Sequence, residues 1–240
     1  MADLAERARS NADDGARCAV VTGTASGIGK AIASRLCADG WRVVGLDKNR
    51  SDESMASFRA IAVDLADFDE LGAVLAGIGE ASAVVHAAGF MRTAPLGALG
   101  HDDGAAMWRI HVEAASVIAD VLAPKMRDGG RIVLVGSRVA NGAAGRSQYA
   151  AVKAAMVGMA RSWAAELAPR GITVNVVAPA ATETPMLGDP ARTGTPPKKP
   201  PIGRYVRAQE VAALTSFLLG PEAAAITGQQ IVICGGSSIQ

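Results

Sequence analysis

Seven short apolar runs punctuate the chain: Cys18–Val21, Trp41–Leu46, Phe58–Val63, Ala83–His86, Arg131–Val135, Thr173–Val177 and Gln230–Ile233. None alternates cleanly between apolar and polar positions, as expected of strands covered on both faces. Between them lie segments of helical period: Ile28–Ala38, Asp67–Ala76, Ala105–Met126, Ser147–Ala168 and Gln209–Leu219. In the first of these, Ile28, Ile32 and Leu36 recur every fourth residue and share one face. Regular alternation of strand and helix predicts right-handed crossovers and a doubly wound parallel α/β sheet of about seven strands, with helices on both faces. The stretch from Asp47 to Asp64 is short, so its crossover is expected to carry one helical turn or none.

The 240 residues would suit one large domain or two small ones. No Pro-, Gly- or Ser-rich linker divides the middle, so a single domain over 16–240 is expected, preceded by a flexible extension over 1–15. Apolar residues make up 50% of the chain, enough for a sizeable core. Aromatics are only 4% and the net charge is +1, which speaks against nucleic-acid binding. Lys198-Lys199 is read as a solvated pair in a Pro-rich loop. Cys18, Cys37 and Cys234 are odd in number and lack metal-ligand spacing, so reduced thiols, no metal and a cytoplasmic setting are expected. No apolar run is long enough to span a bilayer, and the N-terminus has no signal-peptide core.

Chemistry gathers where the strands end. The first strand runs into Gly23-Thr-Ala-Ser-Gly27-Ile-Gly29 and then into a helix. Strand, glycines and helix together form the setting of a dinucleotide loop: glycines let the backbone approach a pyrophosphate, and the helix N-terminus offers N–H donors and partial positive charge. A lone glycine cluster is more often an ordinary turn. Asp47 ends the second strand, 18 residues after Gly29. A carboxylate there accepts both ribose hydroxyls of NAD and repels a 2′-phosphate, so NAD is preferred over NADP. The other predicted strand ends are Thr22, Asp64, His86, Ser137 and Ala178, the edge at which such sheets bind ligands. Tyr149 and Lys153, four apart on a predicted helix, lie one turn apart on one face. A lysine cation there lowers a phenol from its ordinary pKa of about 10, so that the phenol can exchange a proton with a substrate oxygen. Ser137 can hold the same oxygen. A Y-x-x-x-K spacing alone is common by chance; its weight comes from the glycine loop upstream.

Together these segments resemble the short-chain dehydrogenase/reductase family over nearly the whole chain, from about Ala16 to the end. Thr22-Gly-Thr-Ala-Ser-Gly-Ile-Gly29 resembles its T-G-x-x-x-G-I-G loop, and Ala87-Ala-Gly89 the end of its N-N-A-G segment. Asn175-x-x-x-Pro179 resembles its N-x-x-x-P-G stretch, with Ala180 in place of the glycine, and Ile226-Thr-Gly its I-T-G. The resemblance implies a Rossmann-type fold and a cofactor site of Gly23, Ser26, Gly27, Ile28, Gly29, Asp47, Asp64, Leu65, Ala87, Ala88, Gly89, Tyr149, Lys153, Pro179, Thr182 and Thr184. Asp64 and Leu65 would face the adenine; Pro179 and Thr182 to Thr184 would meet the nicotinamide carboxamide. Ser26 is not the basic residue that NADP-preferring members often carry. The implied catalytic residues are Ser137, Tyr149 and Lys153, with His111 where many members have Asn. His86 likewise stands where Asn is usual, and Cys234 where Asp is usual. Both imidazoles would serve as hydrogen-bonding substitutes; the sharper expectation is that His111 titrates and joins the proton path.

Segment 183–207, rich in Pro and Gly, is expected to be a mobile lid, with Met186, Leu187, Ile202, Arg192 and Arg204 as substrate contacts. Arg138, Val139, Asn141 and Phe90-Met91-Arg92 are further candidates. The leading expectation is an NAD-dependent oxidoreductase interconverting a secondary alcohol and a ketone or aldehyde. Rivals are an NADPH-dependent 3-oxoacyl-thioester reductase, a dihydrodiol or polyol dehydrogenase and, from another class, a non-catalytic dinucleotide-binding sensor or scaffold. By resemblance the chain forms a homo-oligomer, tetramer or dimer, through Ala105–Met126 and Ser147–Ala168.

Overall fold

A computed structural model describes residues 17–51, 55–190 and 195–239. The expected extension over 1–15 and Arg192 lie outside the described residues. Seven parallel strands form the main sheet: β1 (Cys18–Thr22), β2 (Arg42–Asp47), β3 (Phe58–Ala62), β4 (Ala83–His86), β5 (Arg131–Val135), β6 (Thr173–Pro179) and, last in the chain, Gln230–Ile233. Their spatial order is β3-β2-β1-β4-β5-β6 followed by Gln230–Ile233, so the direction of winding reverses between β1 and β4. All seven match predicted runs, with ends shifted by two residues at most. The sheet is the doubly wound Rossmann-type architecture that the alternation implied.

Successive residues of β1 show why the strands read as unbroken apolar runs. Val20 points into a core with Leu46, Leu71, Ile118 and Met156, whereas Ala19 and Val21 point to the opposite face, among Ile32, Leu36, Val211 and Leu218. Helices α1 (Gly27–Ala38), α2 (Phe68–Ala76) and α3 (His101–Trp108) follow in chain order. A π-turn, Arg109–Glu113, then leads into α4 (Ala114–Leu122). After β5 comes α5 (Ser147–Leu167), and after β6 comes α6 (Ala208–Leu219). Helices α2, α4 and α5 cover one face; α1 and α6 pack together on the other.

One sequence expectation changes. The predicted helix Ala105–Met126 is not one α-helix. It begins at His101 and is interrupted by the π-turn, one extra residue per turn, which displaces the backbone next to the strand ends. Among the described residues the connection from β2 to β3 holds no helix, in line with its shortness. In segment 183–207, β7 (Thr182–Glu183) pairs in parallel with β8 (Val206–Arg207), which closes the segment at its base. The last strand of the main sheet, Gln230–Ile233, is β9.

Candidate active site

A cleft of about 690 Å³ opens at the carboxyl ends of the strands. It is lined by every predicted cofactor residue from Gly23 to Thr184, together with Ser137, Tyr149, Lys153 and His111. Residues up to 161 positions apart in the chain meet there because each follows a parallel strand end.

The glycine loop is built for close approach. Gly23 has φ +75°, and a Cβ on it would crowd the backbone of Ala88. A Cβ on Gly29 would overlap the carbonyl of Gly23, so the first turn of α1 sits directly on the loop. Ser26 is the N-cap of α1 but its side chain makes no capping bond. The orphan N–H groups of that turn therefore stand available at the cleft, lined here by Gly27, Ile28 and Gly29. Asp47, at the end of β2, is oriented by two backbone donors: Ala25 N–H to Oδ2 at 3.0 Å and Asn49 N–H to Oδ1 at 2.9 Å. Each carboxylate oxygen keeps a further lone pair for a ribose hydroxyl. These residues fit a dinucleotide: a backbone cradle at an uncapped helix terminus, and a carboxylate at the next strand end.

Ser137 is 7% exposed and begins a 3₁₀ turn; its Oγ accepts the Val139 N–H at 3.1 Å, which leaves its O–H to donate. Tyr149 and Lys153 lie in α5, with the Lys153 Nζ 5.7 Å from the Tyr149 ring centre. Lys153 is almost wholly buried, and burial pushes its pKa down from 10.5 to about 7. Its ammonium donates to Val135 O at 2.7 Å and meets His111 Nδ1 at 3.0 Å. The His111 ring packs edge-on against Tyr149, with centroids 5.9 Å apart.

The two histidines occupy different niches. Thr22 Oγ1 accepts N–H bonds from Ala87 and Ala88, both 3.0 Å, and so its own O–H donates to His86 Nδ1 at 3.1 Å. His86 Nε2–H then donates to Ile110 O, in the π-turn, at 3.1 Å. Burial lowers the His86 pKa to about 3, with the Lys153 charge as a second cause. Burial, then Lys153, holds His111 well below the ordinary imidazole range. The sequence expectation that His111 titrates therefore meets a physical obstacle: a buried ring beside an ammonium stays neutral.

Several predicted substrate contacts are placed elsewhere. Arg204 is taken up by Glu210 through two bonds of 2.8 and 2.6 Å. Arg92 stacks over Phe90 and pairs with Asp189 at 3.1 Å. Neither they nor Ile202 and Asn141 line the cleft, whereas Phe90, Met91, Arg138, Val139, Met186 and Leu187 do. Lys198 and Lys199, read from sequence as solvated, also border the cleft, as do Arg146, Pro196 and Pro197. Arg146 NH2 donates to Thr195 O at 3.3 Å and ties the same segment to the start of α5. Among the described residues, no helix is long and apolar enough to cross a membrane.

A nucleotide cradle and a Ser–Tyr–Lys group facing one cleft define a dinucleotide-dependent oxidoreductase site. A family model described as enoyl-(acyl carrier protein) reductase matches residues 23–238. The chain is 38% identical to the 3-oxoacyl-[acyl-carrier-protein] reductase of Salmonella typhimurium, covering 92% of this chain and 96% of that protein. It is 31% identical to a short-chain reductase of Streptomyces niveus, covering 91% and 92%. A short-chain dehydrogenase of Burkholderia cenocepacia, solved in complex with NADP, superposes with a TM-score of 0.82 at 36% identity, covering 95% of this chain and all of that one. A blue fluorescent protein from a metagenomic library, solved with NADPH, gives 0.80 at 31%, covering 92% and 97%. The chain belongs to the short-chain dehydrogenase/reductase family. It is an oxidoreductase with a site for a nicotinamide dinucleotide.

Proposed function

We propose that this chain interconverts a ketone and its secondary alcohol, with Tyr149 passing the proton. The observation that carries the reading is the convergence of Ser137, Tyr149 and Lys153 on the cleft that also holds the glycine loop. The bound nicotinamide supplies or accepts the hydride. In this reading Gly23, Ser26, Gly27, Ile28 and Gly29 hold the pyrophosphate, and Asp47 the adenosine ribose. Asp64 and Leu65 flank the adenine, Ala87, Ala88 and Gly89 support the middle of the cofactor, and Pro179, Thr182 and Thr184 orient the carboxamide. Ser137 O–H donates to the substrate oxygen, where charge builds during reduction. Tyr149 O–H delivers its proton to that oxygen, or takes one back as phenolate during oxidation. The Lys153 cation favours the phenolate and contacts the nicotinamide ribose.

For the substrate, the names of the relatives favour a 3-oxoacyl thioester over a free alcohol. An observation in this chain agrees: the charged residues bordering the cleft around Ser137 and segment 195–201 are Arg138, Arg146, Lys198 and Lys199, all cationic. Such a rim suits a thioester carried on an anionic arm. For the cofactor, two observations pull apart. The solved relatives bound to NADP and NADPH favour the phosphorylated form. Asp47, ordered by two backbone bonds, favours NAD(H), because a 2′-phosphate would meet a fixed carboxylate. We give more weight to Asp47, since it is this chain's own residue. The test is a matrix of kcat/KM values: NADH and NADPH, each with acetoacetyl-CoA and with a panel of simple ketones and alcohols. The expected winner is acetoacetyl-CoA with NADH. Faster turnover with NADPH would overturn the cofactor reading, preference for a simple ketone the substrate reading, and no turnover in any cell the enzymatic one.

A further inference from the structure

The acid–base group of the cleft has a fourth member whose role the geometry defines. Lys153 Nζ has two close partners, Val135 O and His111 Nδ1, with Met156 Sδ at 3.6 Å. An ammonium can only donate, so His111 Nδ1 must be an acceptor when Lys153 is charged. The opposite ring nitrogen, Nε2, lies 2.8 Å from Phe90 O and 3.3 Å from Phe90 N. With Nδ1 accepting, a neutral ring carries its proton on Nε2 and donates it to Phe90 O, the shorter of the two contacts. Both nitrogens are thereby committed, and the ring is walled in: it is 1% exposed, has its Cε1 against Gly89 and lies edge-on to Tyr149.

We infer that His111 is a positioning residue for Lys153: a neutral imidazole, locked as the Nε2–H tautomer by Phe90 O, that holds the ammonium in place rather than relaying its proton. The relay fails on geometry. A proton handed to Nδ1 would require Nε2 to release its own, and among the described residues the acceptor it meets is the Phe90 backbone carbonyl. The inference rests on the assignment of Lys153 to the acid–base group. The titratable groups facing Lys153 are His111 from the π-turn, Tyr149 from its own helix and His86 from the end of β4; no carboxylate is among its described partners. A ring lone pair thus stabilises the ammonium without a countercharge. Burial outweighs this support and lowers the Lys153 pKa to about 7, which lets it change charge near neutral pH.

The experiment combines NMR of the ligand-free protein with kinetics of two variants. In the ¹⁵N-histidine spectrum of wild type, His111 should stay neutral and Nε2-protonated from pH 5 to 9. A protonation midpoint in the ordinary imidazole range, or the Nδ1–H tautomer below the Lys153 midpoint, would overturn the inference. In the ¹³Cε-lysine spectrum, Lys153 should titrate near 7. Its midpoint should fall in His111→Leu, which removes the acceptor, and return toward wild type in His111→Asn, which restores one. Kinetically, His111→Leu should lose about tenfold to a hundredfold in kcat, with an acid-ward shift of the pH profile. His111→Asn should recover most of that loss and the profile. A Leu variant with wild-type Lys153 midpoint and pH profile would sink the idea. Should the Leu variant not fold, the wild-type tautomer and the Asn variant still decide. The NMR readings need no turnover, so they stand apart from any failure of the proposed reaction.

Discussion

Gly89 cannot carry a side chain because His111 occupies the space in front of it. Its φ of +156° is one that L residues rarely adopt, and an added Cβ would overlap His111 Cε1. Gly89→Ala should therefore displace the imidazole from Lys153 or push the loop into the cleft. The expected cost is about 1–3 kcal/mol of stability from overpacking. Activity should fall by more than unfolding explains, which urea melts and kcat on the same preparation would separate. A variant with normal kcat would mean that the loop yields without moving His111.

Tyr149→Phe removes one hydroxyl from a ring that is otherwise 93% buried and packed against His111. Stability should change little. The rate should drop on the order of 10²–10⁴-fold, the usual contribution of a positioned proton donor. NADH binding, read by fluorescence titration, should survive. Substantial residual turnover would refute Tyr149 as the acid.

Three buried bases give the fold a pH signature. His86 and His111 are depressed below 6.5 in the folded chain, so the unfolded chain binds more protons as pH falls through 6.5 and stability drops there. For His86 the loss should continue down to about 3. Lys153 is depressed from 10.5 to about 7, so its burial penalty is present in full below 7 and relieved as pH rises toward 10.5. A shift of that size corresponds to a few kcal/mol. Urea melts at stepped pH should show stability rising across both windows, against the background of the other groups. Lys153→Met should flatten the upper window and raise stability at neutral pH, whereas His86→Gln should soften the lower one.

Asp47→Ala should relax cofactor choice. If Asp47 holds the ribose as proposed, removing its carboxylate should take away its repulsion of a 2′-phosphate, which at a partly exposed site is worth at least about tenfold. The kcat/KM for NADPH should rise and that for NADH should fall. An unchanged ratio would show that Asp47 does not face the ribose.

Much of the fold was legible because parallel strands buried on both faces leave unbroken apolar runs, as in Val20-Val21 and Ile132-Val133-Leu134. The cleft was legible because such a sheet brings its strand ends to one edge, so Thr22, Asp47, His86 and Ser137 were found as neighbours without any contact information. What escaped depends on long-range packing. The π-turn at Arg109–Glu113 keeps an ordinary helical composition, and its extra residue shows only in the backbone. The bonds of His111 to Phe90 and Lys153 join positions 21 and 42 residues away. Arg204 looked available for substrate until its partner, six residues on, proved to be Glu210. Lys198-Lys199 looked idle because nothing in a Pro-rich loop says where the loop returns.

The order of the sheet has a practical consequence. On one side of the reversal between β1 and β4 lie the ends of β2 and β3, with Asp47 and Asp64; on the other lie the ends of β4 and β5, with His86 and Ser137. Under the proposed function, nucleotide selection and bond chemistry would sit on separate wings joined at the central pair β1 and β4. In protein engineering the proposed roles would let the wings be handled as exchangeable modules: substitutions at the tip of β2 should retune the coenzyme and leave the setting of Ser137 unchanged.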